Sequence, residues 1–294
     1  MNFYTKLDKK TPIAVLASGR LGSSLAIALE KSGYNVVSVT SRRIEHRKWL
    51  KERLPNSIIT DNFQTASNLA GIVFITSPDA VIEDICNAVN WLPYQAVVHC
   101  SGALSVSALN YAASYGSAVA GFHPLQTFPT NESFGQLNGV SFATETENDQ
   151  LYEWLAELAT DLGGSEFKIK SSERAAYHAS AVMACGMTAG WIGVAAEMWA
   201  KLGIDREEAL TRLIPLIRAT VDAIDRLGLP SAMTGPFVRG DFDTIKMQFQ
   251  ATQEKSIETG KAYGALAIAS LHIAEEQGTL SDSSVEAIRS LLLD

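Results

Sequence analysis

The chain has 294 residues, of which 47% are hydrophobic and 19% are charged, and its formal net charge at pH 7 is −8. This length and composition favour a globular protein of two domains and exclude a disordered chain. The negative charge argues against nucleic acid or an anionic membrane surface as a partner, and the three widely spaced cysteines match no metal-binding pattern.

The first predicted elements are a strand, a glycine turn and a helix. Residues 12–17 are an apolar run, and residues 23–31 are an alanine-rich amphipathic stretch. In this arrangement the turn holds a dinucleotide pyrophosphate, so we expect the cofactor to contact Ser18, Gly19, Arg20, Leu21 and Gly22. Ala17 replaces the usual first glycine. Because alanine adopts a positive φ only at a cost, we expect an altered turn or one that needs no positive φ there. A tight turn without a ligand is the alternative.

The second predicted strand, residues 35–40, ends in Ser41, Arg42 and Arg43 without an acidic residue. Proteins that bind NAD usually carry Asp or Glu here, which accepts hydrogen bonds from the ribose hydroxyls. Arginine instead matches phosphate oxygens, so we predict that these three residues bind the 2′-phosphate of NADP. The alternative is that both arginines are solvated charges that begin the next helix, although that helix end is electrostatically unfavourable for them.

Short apolar runs then alternate with helical patterns, which predicts a parallel sheet with crossover helices. Further strands are predicted at residues 57–60, 71–76, 95–100, 118–123, 140–143 and 166–169. Helices are predicted at residues 44–54, from after residue 79 to about residue 88, and at 149–162. From about Ser172 onward only helical patterns remain. We therefore predict an α/β fold, with a Rossmann-like parallel sheet over residues 1–170 and an all-helical substrate and dimerisation domain over residues 171–294.

The localisation follows from two segments. Residues 175–200 are apolar, but His178, Glu197 and several small residues interrupt them, so we expect no membrane-spanning segment. Residues 1–10 are polar and do not resemble a secretory signal. These observations predict a cytoplasmic protein.

Polar residues follow three predicted strands, at the sheet edge where ligands bind in this class of fold. We expect the nicotinamide end of the cofactor to contact Ser77, Pro78, Asp79, Ser101, Gly102, His123 and Pro124. The nearby Gln126 is expected to contact the substrate. Three local alternatives stay open: Asp79 as a helix cap, Ser101 bonded to its own backbone, and the segment 123–124 as a rigid turn.

The helical half opens with Arg174, Tyr177 and His178. Arg174 and His178 are four residues apart and therefore lie on one helix face. A histidine in this position suits a general acid that protonates a carbonyl oxygen or an imine nitrogen. The alternative is a histidine with a structural hydrogen bond.

A second cluster lies in a turn that contains Thr234 and Arg239. Arg239 either binds a substrate carboxylate or forms a structural ion pair with Asp241. His46 and His272 lie in other predicted helices and suggest no site.

Five segments together resemble a known group of proteins. They are residues 19–22, 99–104, 123–128, 177–179 and 234–241. With them the chain resembles Rossmann-like NADP-binding proteins that carry a C-terminal helical domain of unknown function. That group lies within the superfamily of pyrroline-5-carboxylate reductase, ketopantoate reductase and 6-phosphogluconate dehydrogenase. The resemblance covers nearly the whole chain.

The resemblance implies an NADP-binding domain, a helical domain like the C-terminal domain of 6-phosphogluconate dehydrogenase, and a homodimer joined through the helices. It implies an oxidoreductase without naming a substrate. The chain departs from the group at three places: Ala17 replaces the usual first glycine, Cys185-Gly186 replaces a common Ser-Asn pair, and Arg174 stands where lysine is frequent. Arginine is a poor proton donor near neutral pH, which moves the acid role toward His178.

Two hypotheses follow. The first is an NADPH-dependent oxidoreductase that reduces a small carbonyl or imine compound by hydride transfer. In this hypothesis the catalytic residues are His178, Arg174 and Ser101, and the substrate contacts are Gln126, Tyr177, Thr234 and Arg239. The second is a regulatory or sensor protein that binds NADP without turnover, which the missing asparagine favours.

Overall fold

A computed structural model describes residues 7–131 and 136–293. Backbone contacts divide the chain into two compact units, Met1–Cys185 and Gly186–Asp294. The predicted boundary at residue 170 lies before the helix that begins at Arg174, whereas the contact division lies after it. This helix belongs with the first unit because the Arg174 side chain is buried there, paired with Glu145.

The first unit is built on an eight-stranded sheet. In chain order the strands are β1 (Ile13–Leu16), β2 (Val36–Thr40), β3 (Ile58–Thr60), β4 (Ile72–Ile75), β5 (Ala96–His99), β6 (Ala118–Pro124), β7 (Ser141–Glu145) and β8 (Ser165–Lys168). Their order across the sheet is β3-β2-β1-β4-β5-β6-β7-β8, and every neighbouring pair is parallel except β6 with β7. The prediction of a Rossmann-like, mostly parallel sheet is therefore confirmed.

Helices cover both faces of this sheet. They are α1 (Arg20–Lys31), α2 (Ile44–Arg53), α3 (Phe63–Ser67), α4 (Ile82–Asn87), α5 (Asn110–Ser114), α6 (Asp149–Asp161) and α7 (Arg174–Val182). Alternate residues of β1 point to opposite faces. Ile13 and Val15 pack in one apolar cluster with α1 and α6, while Ala14 and Leu16 pack in another with α4 and α5. Burial on both faces explains why the strands are continuous apolar runs.

The strand predictions agree with the structure to within one or two residues at each end. Two features were not predicted. The short helices α3 and α5 have five residues each, too few for a helical period to stand out in the sequence. The antiparallel pairing of β6 with β7 also has no local sequence signal, because the connecting chain between them permits either direction.

The second unit is helical. Its helices are α8 (Thr188–Glu197), α9 (Arg206–Leu227), α10 (Pro236–Arg239), α11 (Phe242–Lys255), α12 (Ile257–Glu275) and α13 (Asp282–Leu293). Asp205, Asp241 and Ser256 each begin a helix by accepting a hydrogen bond from a backbone N–H of its first turn. The last three helices enclose an apolar core that includes Ile245 and Leu271.

Apolar surface remains uncovered in the helical part of the chain. Along α9 the side chains of Leu216, Val221 and Leu227 are each more than half exposed. The helical stretch Ser171–Leu202 is long and apolar enough to cross a membrane, and only 6% of its most apolar window is buried. The predicted interruptions at His178 and Glu197 do not prevent this. A helix that packs against another protein chain is also apolar and also has little buried surface in the isolated chain.

Candidate functional site

The turn between β1 and α1 has an unusual backbone conformation at Ala17. Its φ is +57°, in the left-handed region that alanine enters at a cost of about 1–2 kcal/mol. Of the two alternatives predicted for this turn, the one that needs no positive φ at Ala17 is therefore wrong. The Ala17 N–H donates to the Thr40 hydroxyl oxygen at 2.7 Å, and this hydrogen bond helps to hold the strained residue. Ser18 continues the contact by donating from its hydroxyl to the Thr40 carbonyl.

The two glycines of this turn serve different purposes. A side chain on Gly22 would place its Cβ 2.2 Å from the hydroxyl oxygen of Thr76, the residue after β4, so α1 approaches the sheet only because Gly22 has no side chain. A Cβ on Gly19 would have no neighbour within 4 Å and would extend into open space. Gly22 is thus required by packing, and Gly19 leaves room beside the backbone.

That open space is part of a cavity of about 460 Å³ in the first unit. The predicted cofactor residues that line it are Ser18, Gly19, Arg20, Ser41, Arg42, Arg43, Ser77 and Pro78. Leu21, Gly22 and Asp79 do not line it. Leu21 packs against the apolar core, Gly22 faces Thr76, and Asp79 begins a short 3₁₀ helix. The structure therefore brings together the two segments that the sequence assigned to the cofactor's phosphates, and it adds residues 77–78 of the segment assigned to the nicotinamide end.

Three arginines lie near the second strand end, and their surroundings differ. Arg47 donates to the carbonyls of Ser41 and Arg42 and pairs with Asp61, so it holds the loop together. The side chains of Arg42 and Arg43 are exposed and, within residues 7–131 and 136–293, make no ion pair or hydrogen bond. These two guanidinium groups are therefore available to an anion that enters the cavity.

His46 also lines this cavity, although its place in a predicted helix had suggested no site. Its Nδ1 lies 2.9 Å from the Ser41 hydroxyl, and its Nε2 lies 3.0 Å from the Ser23 hydroxyl. The ring stacks on Trp49 with centroids 5.4 Å apart. Burial, and then the charge of Arg43, lower the pKa of His46, which keeps its ring neutral at neutral pH.

A second polar cluster lies at the ends of β5 and β6, where α7 packs on the same unit. A Cβ on Gly102 would lie 2.4 Å from His178 Nδ1 and 2.9 Å from His123 Nε2, so both imidazoles approach the chain closely because residue 102 is glycine. The Tyr177 hydroxyl lies 2.6 Å from His123 Nδ1. Two residues predicted from separate segments, His123 and His178, are thus neighbours of Gly102, and Tyr177 contacts His123.

The pKa values in this cluster are shifted mainly by burial. Burial, with smaller contributions from His178 and Arg174, lowers the pKa of His123 to about 4. Burial raises the pKa of Tyr177 to about 12. At neutral pH the His123 ring is therefore neutral and the Tyr177 hydroxyl protonated. His178 Nδ1 is shielded from solvent and has no hydrogen-bond partner among the described residues.

Arg174 is not free to contact a substrate, which corrects the sequence-based expectation. Its side chain is 1% exposed, its Nε donates to Glu145, and its Nη1 donates to the carbonyls of Ser101 at 2.9 Å and Gly102 at 3.4 Å. Glu145 also accepts hydrogen bonds from the Ser171 hydroxyl and the Val106 N–H. Glu145 was not predicted, because a single acidic residue at a strand end carries no signal of its own in the sequence.

The remaining predicted residues have local roles in the structure. The Ser101 hydroxyl accepts hydrogen bonds from the N–H groups of Ala103 and Leu104, which is the alternative left open above. Gln126 donates to the Gln136 carbonyl, and Pro124 ends β6. Thr234 and Arg239 lie in the second unit, and Asp241 caps α11 through Thr244 instead of pairing with Arg239.

Comparison with known proteins is consistent with this architecture. Residues 6–124 match a Rossmann-like domain, and residues 140–269 match the domain of unknown function DUF2520. The chain joins a Rossmann-like domain to a DUF2520 domain. This confirms the resemblance inferred from the sequence motifs. A search of curated protein sequences found no match.

Solved structures share the fold at low sequence identity. A Bacteroides fragilis protein described as a candidate NADP oxidoreductase is 23% identical, with a TM-score of 0.72 over 90% of this chain and 98% of that one. An imine reductase from Pseudomonas sp. is 20% identical, with a TM-score of 0.63 over 97% and 99%. A 1-pyrroline-5-carboxylate reductase from Streptococcus pyogenes is 16% identical, with a TM-score of 0.61 over 97% and 98%.

Proposed function

We propose that this protein is an NADPH-dependent oxidoreductase that reduces a small carbonyl or imine compound. The observation that carries the proposal is the cavity that joins the Gly19 turn to the unpaired guanidinium groups of Arg42 and Arg43. The Gly19 turn suits a pyrophosphate, and the two guanidinium groups suit a ribose 2′-phosphate. The names of the structural neighbours, which include an imine reductase and a pyrroline-5-carboxylate reductase, support the same reaction class.

The residues present fit NADPH. Open space beside Gly19 admits phosphate oxygens close to the backbone, and Arg42 and Arg43 offer positive charge in a chain whose net charge is −8. Among the described residues, none with a carboxylate side chain lines the cavity where NAD-binding proteins hold the ribose hydroxyls. When bound, NADPH supplies the hydride, so the protein must contribute binding, orientation and a proton.

In this proposal His178 is the proton donor. Its Nδ1 is shielded beside Gly102, which leaves Nε2 as the nitrogen that exchanges a proton with the substrate. The Tyr177 hydroxyl donates to His123 Nδ1, because the tyrosine is protonated and the histidine neutral at neutral pH. The His123 ring proton then resides on Nε2, beside Gly102. Arg174 and Ser101 shape the loop that carries Gly102 and do not take part in proton transfer.

The first test is a titration with NADPH and NADH, followed by nicotinamide fluorescence. We expect NADPH to bind more tightly. Replacing Arg42 and Arg43 with glutamine should weaken NADPH binding by about tenfold per residue, because each charge-assisted hydrogen bond contributes about 1.5 kcal/mol or more, and should change NADH binding little. Lys48→Gln is the matched control, since Lys48 carries the same charge on α2 but does not line the cavity.

Absence of binding by both nucleotides would refute the proposal. Tight NADPH binding without turnover of any carbonyl or imine compound would instead favour a protein that senses NADP. His178→Ala should lower turnover and leave NADPH affinity unchanged, with His272→Ala as the control. Unchanged turnover in His178→Ala would remove the proton-donor assignment.

We also propose that the protein is a cytoplasmic homodimer joined through its helices. Support comes from the exposed apolar side chains of α9 and from the uncovered stretch Ser171–Leu202, which a second copy would bury. Light scattering of the purified protein should give twice the chain mass of 31.7 kDa. A monomer in solution, or fractionation of the protein with membranes, would contradict this proposal.

A further inference from the structure

His46 is held on three sides in the wall of the cofactor cavity. Its two ring nitrogens meet the hydroxyls of Ser41 and Ser23, and its ring face lies on Trp49. Ser41 and Ser23 belong to different elements, the loop after β2 and helix α1, and both are at least 94% buried. The ring therefore connects the loop that carries Ser41 to helix α1, which begins at the Gly19 turn.

A neutral imidazole has one N–H and one bare nitrogen, so its two serine contacts are not equivalent. In one arrangement Nδ1–H donates to Ser41 Oγ, and Nε2 accepts from the Ser23 hydroxyl. The Ser41 hydroxyl proton is then free to point into the cavity. In the other arrangement the Ser41 hydroxyl donates to Nδ1, and only oxygen lone pairs of Ser41 face the cavity.

The two arrangements suit different ligands. The dianion of a phosphate monoester, its main form at neutral pH, accepts hydrogen bonds and donates none, so it fits only the arrangement in which the Ser41 proton is free. A ribose hydroxyl both donates and accepts, so it fits either arrangement. Arg42 and Arg43 line the same part of the cavity and add the charge that draws a phosphate there.

We propose that His46 is a positioning residue for cofactor specificity: its Nδ1–H holds the Ser41 oxygen so that the Ser41 hydroxyl donates to a ribose 2′-phosphate. The inference rests on the proposed NADPH binding, and it assigns to a helical histidine part of the discrimination between NADPH and NADH. His46 acts through Ser41 and does not itself contact the phosphate.

The test compares NADPH and NADH affinities in matched variants. His46→Leu removes both ring hydrogen bonds and should weaken NADPH binding about tenfold while leaving NADH binding within about twofold. His46→Asn keeps an amide N–H near the position of Nδ1 and should retain most of the preference. Ser41→Ala should lose NADPH affinity to the same extent as His46→Leu, and the double variant should lose no more than either single one. Ser23→Ala, which leaves the Ser41 contact intact, is the control.

Equal losses of NADPH and NADH affinity in His46→Leu would show that the ring only supports the fold of the turn, and the inference would be wrong. Additive losses in the double variant would also refute it. Failure of the wild-type protein to bind NADPH is a different result, because it refutes the proposed function itself.

A measurement on the unaltered protein covers the case in which His46→Leu does not fold. The chain has five histidines, so their ring nitrogens can be assigned by ¹⁵N NMR, with His46→Asn identifying the signal. With saturating NADP⁺ we expect the proton of His46 on Nδ1. A proton found only on Nε2 would overturn the inference.

Discussion

Replacing Arg174 with methionine should destabilise the first unit without a direct effect on chemistry. Arg174 is 1% exposed and its partner Glu145 is 8% exposed, so the variant leaves a carboxylate inside the protein without its cation. Loss of one partner of a buried ion pair costs about 3–5 kcal/mol. We expect the lower part of this range, because Ser171 and the Val106 N–H still donate to Glu145.

A second substitution isolates the cause of that loss. In Arg174→Met/Glu145→Gln the stranded charge is gone, so the free energy of unfolding should recover to within about 1–2 kcal/mol of the wild type. Arg174→Lys keeps the charge but cannot present the planar group that reaches Glu145 and the Ser101 carbonyl together, so it should fall in between.

Urea unfolding followed by tryptophan fluorescence measures all three variants, and Trp154 in the core of the first unit is a suitable probe. A loss below about 1 kcal/mol in Arg174→Met would refute the reasoning from burial. Wild-type stability with abolished turnover would restore the catalytic role that the sequence suggested for Arg174.

Two further predictions concern pH and the glycine turn. Burial lowers the pKa of His99 and of His123 to about 4, below the ordinary 6.5 of the unfolded chain. Between these two pH values the unfolded state binds more protons than the folded state, so the free energy of unfolding decreases as the pH is lowered. Urea unfolding should show a loss of about 2 kcal/mol per histidine between pH 7 and pH 5, and a constant value would contradict the burial argument. Gly22→Ala should lose about 1–3 kcal/mol of stability through the contact with Thr76. Gly19→Ala should stay as stable as the wild type but bind NADPH more weakly, and the reverse pattern would show that the two roles were exchanged.

What the sequence could predict was local. The strand, turn and helix around Gly19 and the cationic strand end at Arg42 depend on residues close together in the chain, and the structure places both around one cavity. The contacts that the sequence analysis missed join distant segments: Arg174 with Glu145, and His46 with Ser23. Periodicity and turn patterns describe neighbours along the chain, so they carry no information about which buried polar groups will meet.

Ala17 shows a different limit of the sequence argument. Backbone preference disfavours a positive φ for alanine, yet Ala17 adopts one, and its N–H donates to the Thr40 hydroxyl of the neighbouring strand. A preference of one residue type thus does not decide the backbone conformation where tertiary contacts also act on it. A glycine at position 17 is therefore not required for the backbone conformation that a pyrophosphate-binding turn needs.

The electrostatics of α2 favour a role for Arg42 and Arg43 in binding an anion over the alternative that they are only solvated surface charges. Arg43 is the N-cap of α2, and the first backbone N–H groups of a helix already carry partial positive charge, so each cation there costs about 0.3–1 kcal/mol. Among the described residues no side chain caps this helix end, and Arg47 already has its partners in Ser41, Arg42 and Asp61. An anion in the cavity would attract both guanidinium groups and the first N–H groups of the helix, and it would thereby offset the repulsion between them. Two arginines without a partner among the described residues, at such a position in a chain with a net charge of −8, support the proposal that a phosphate binds there.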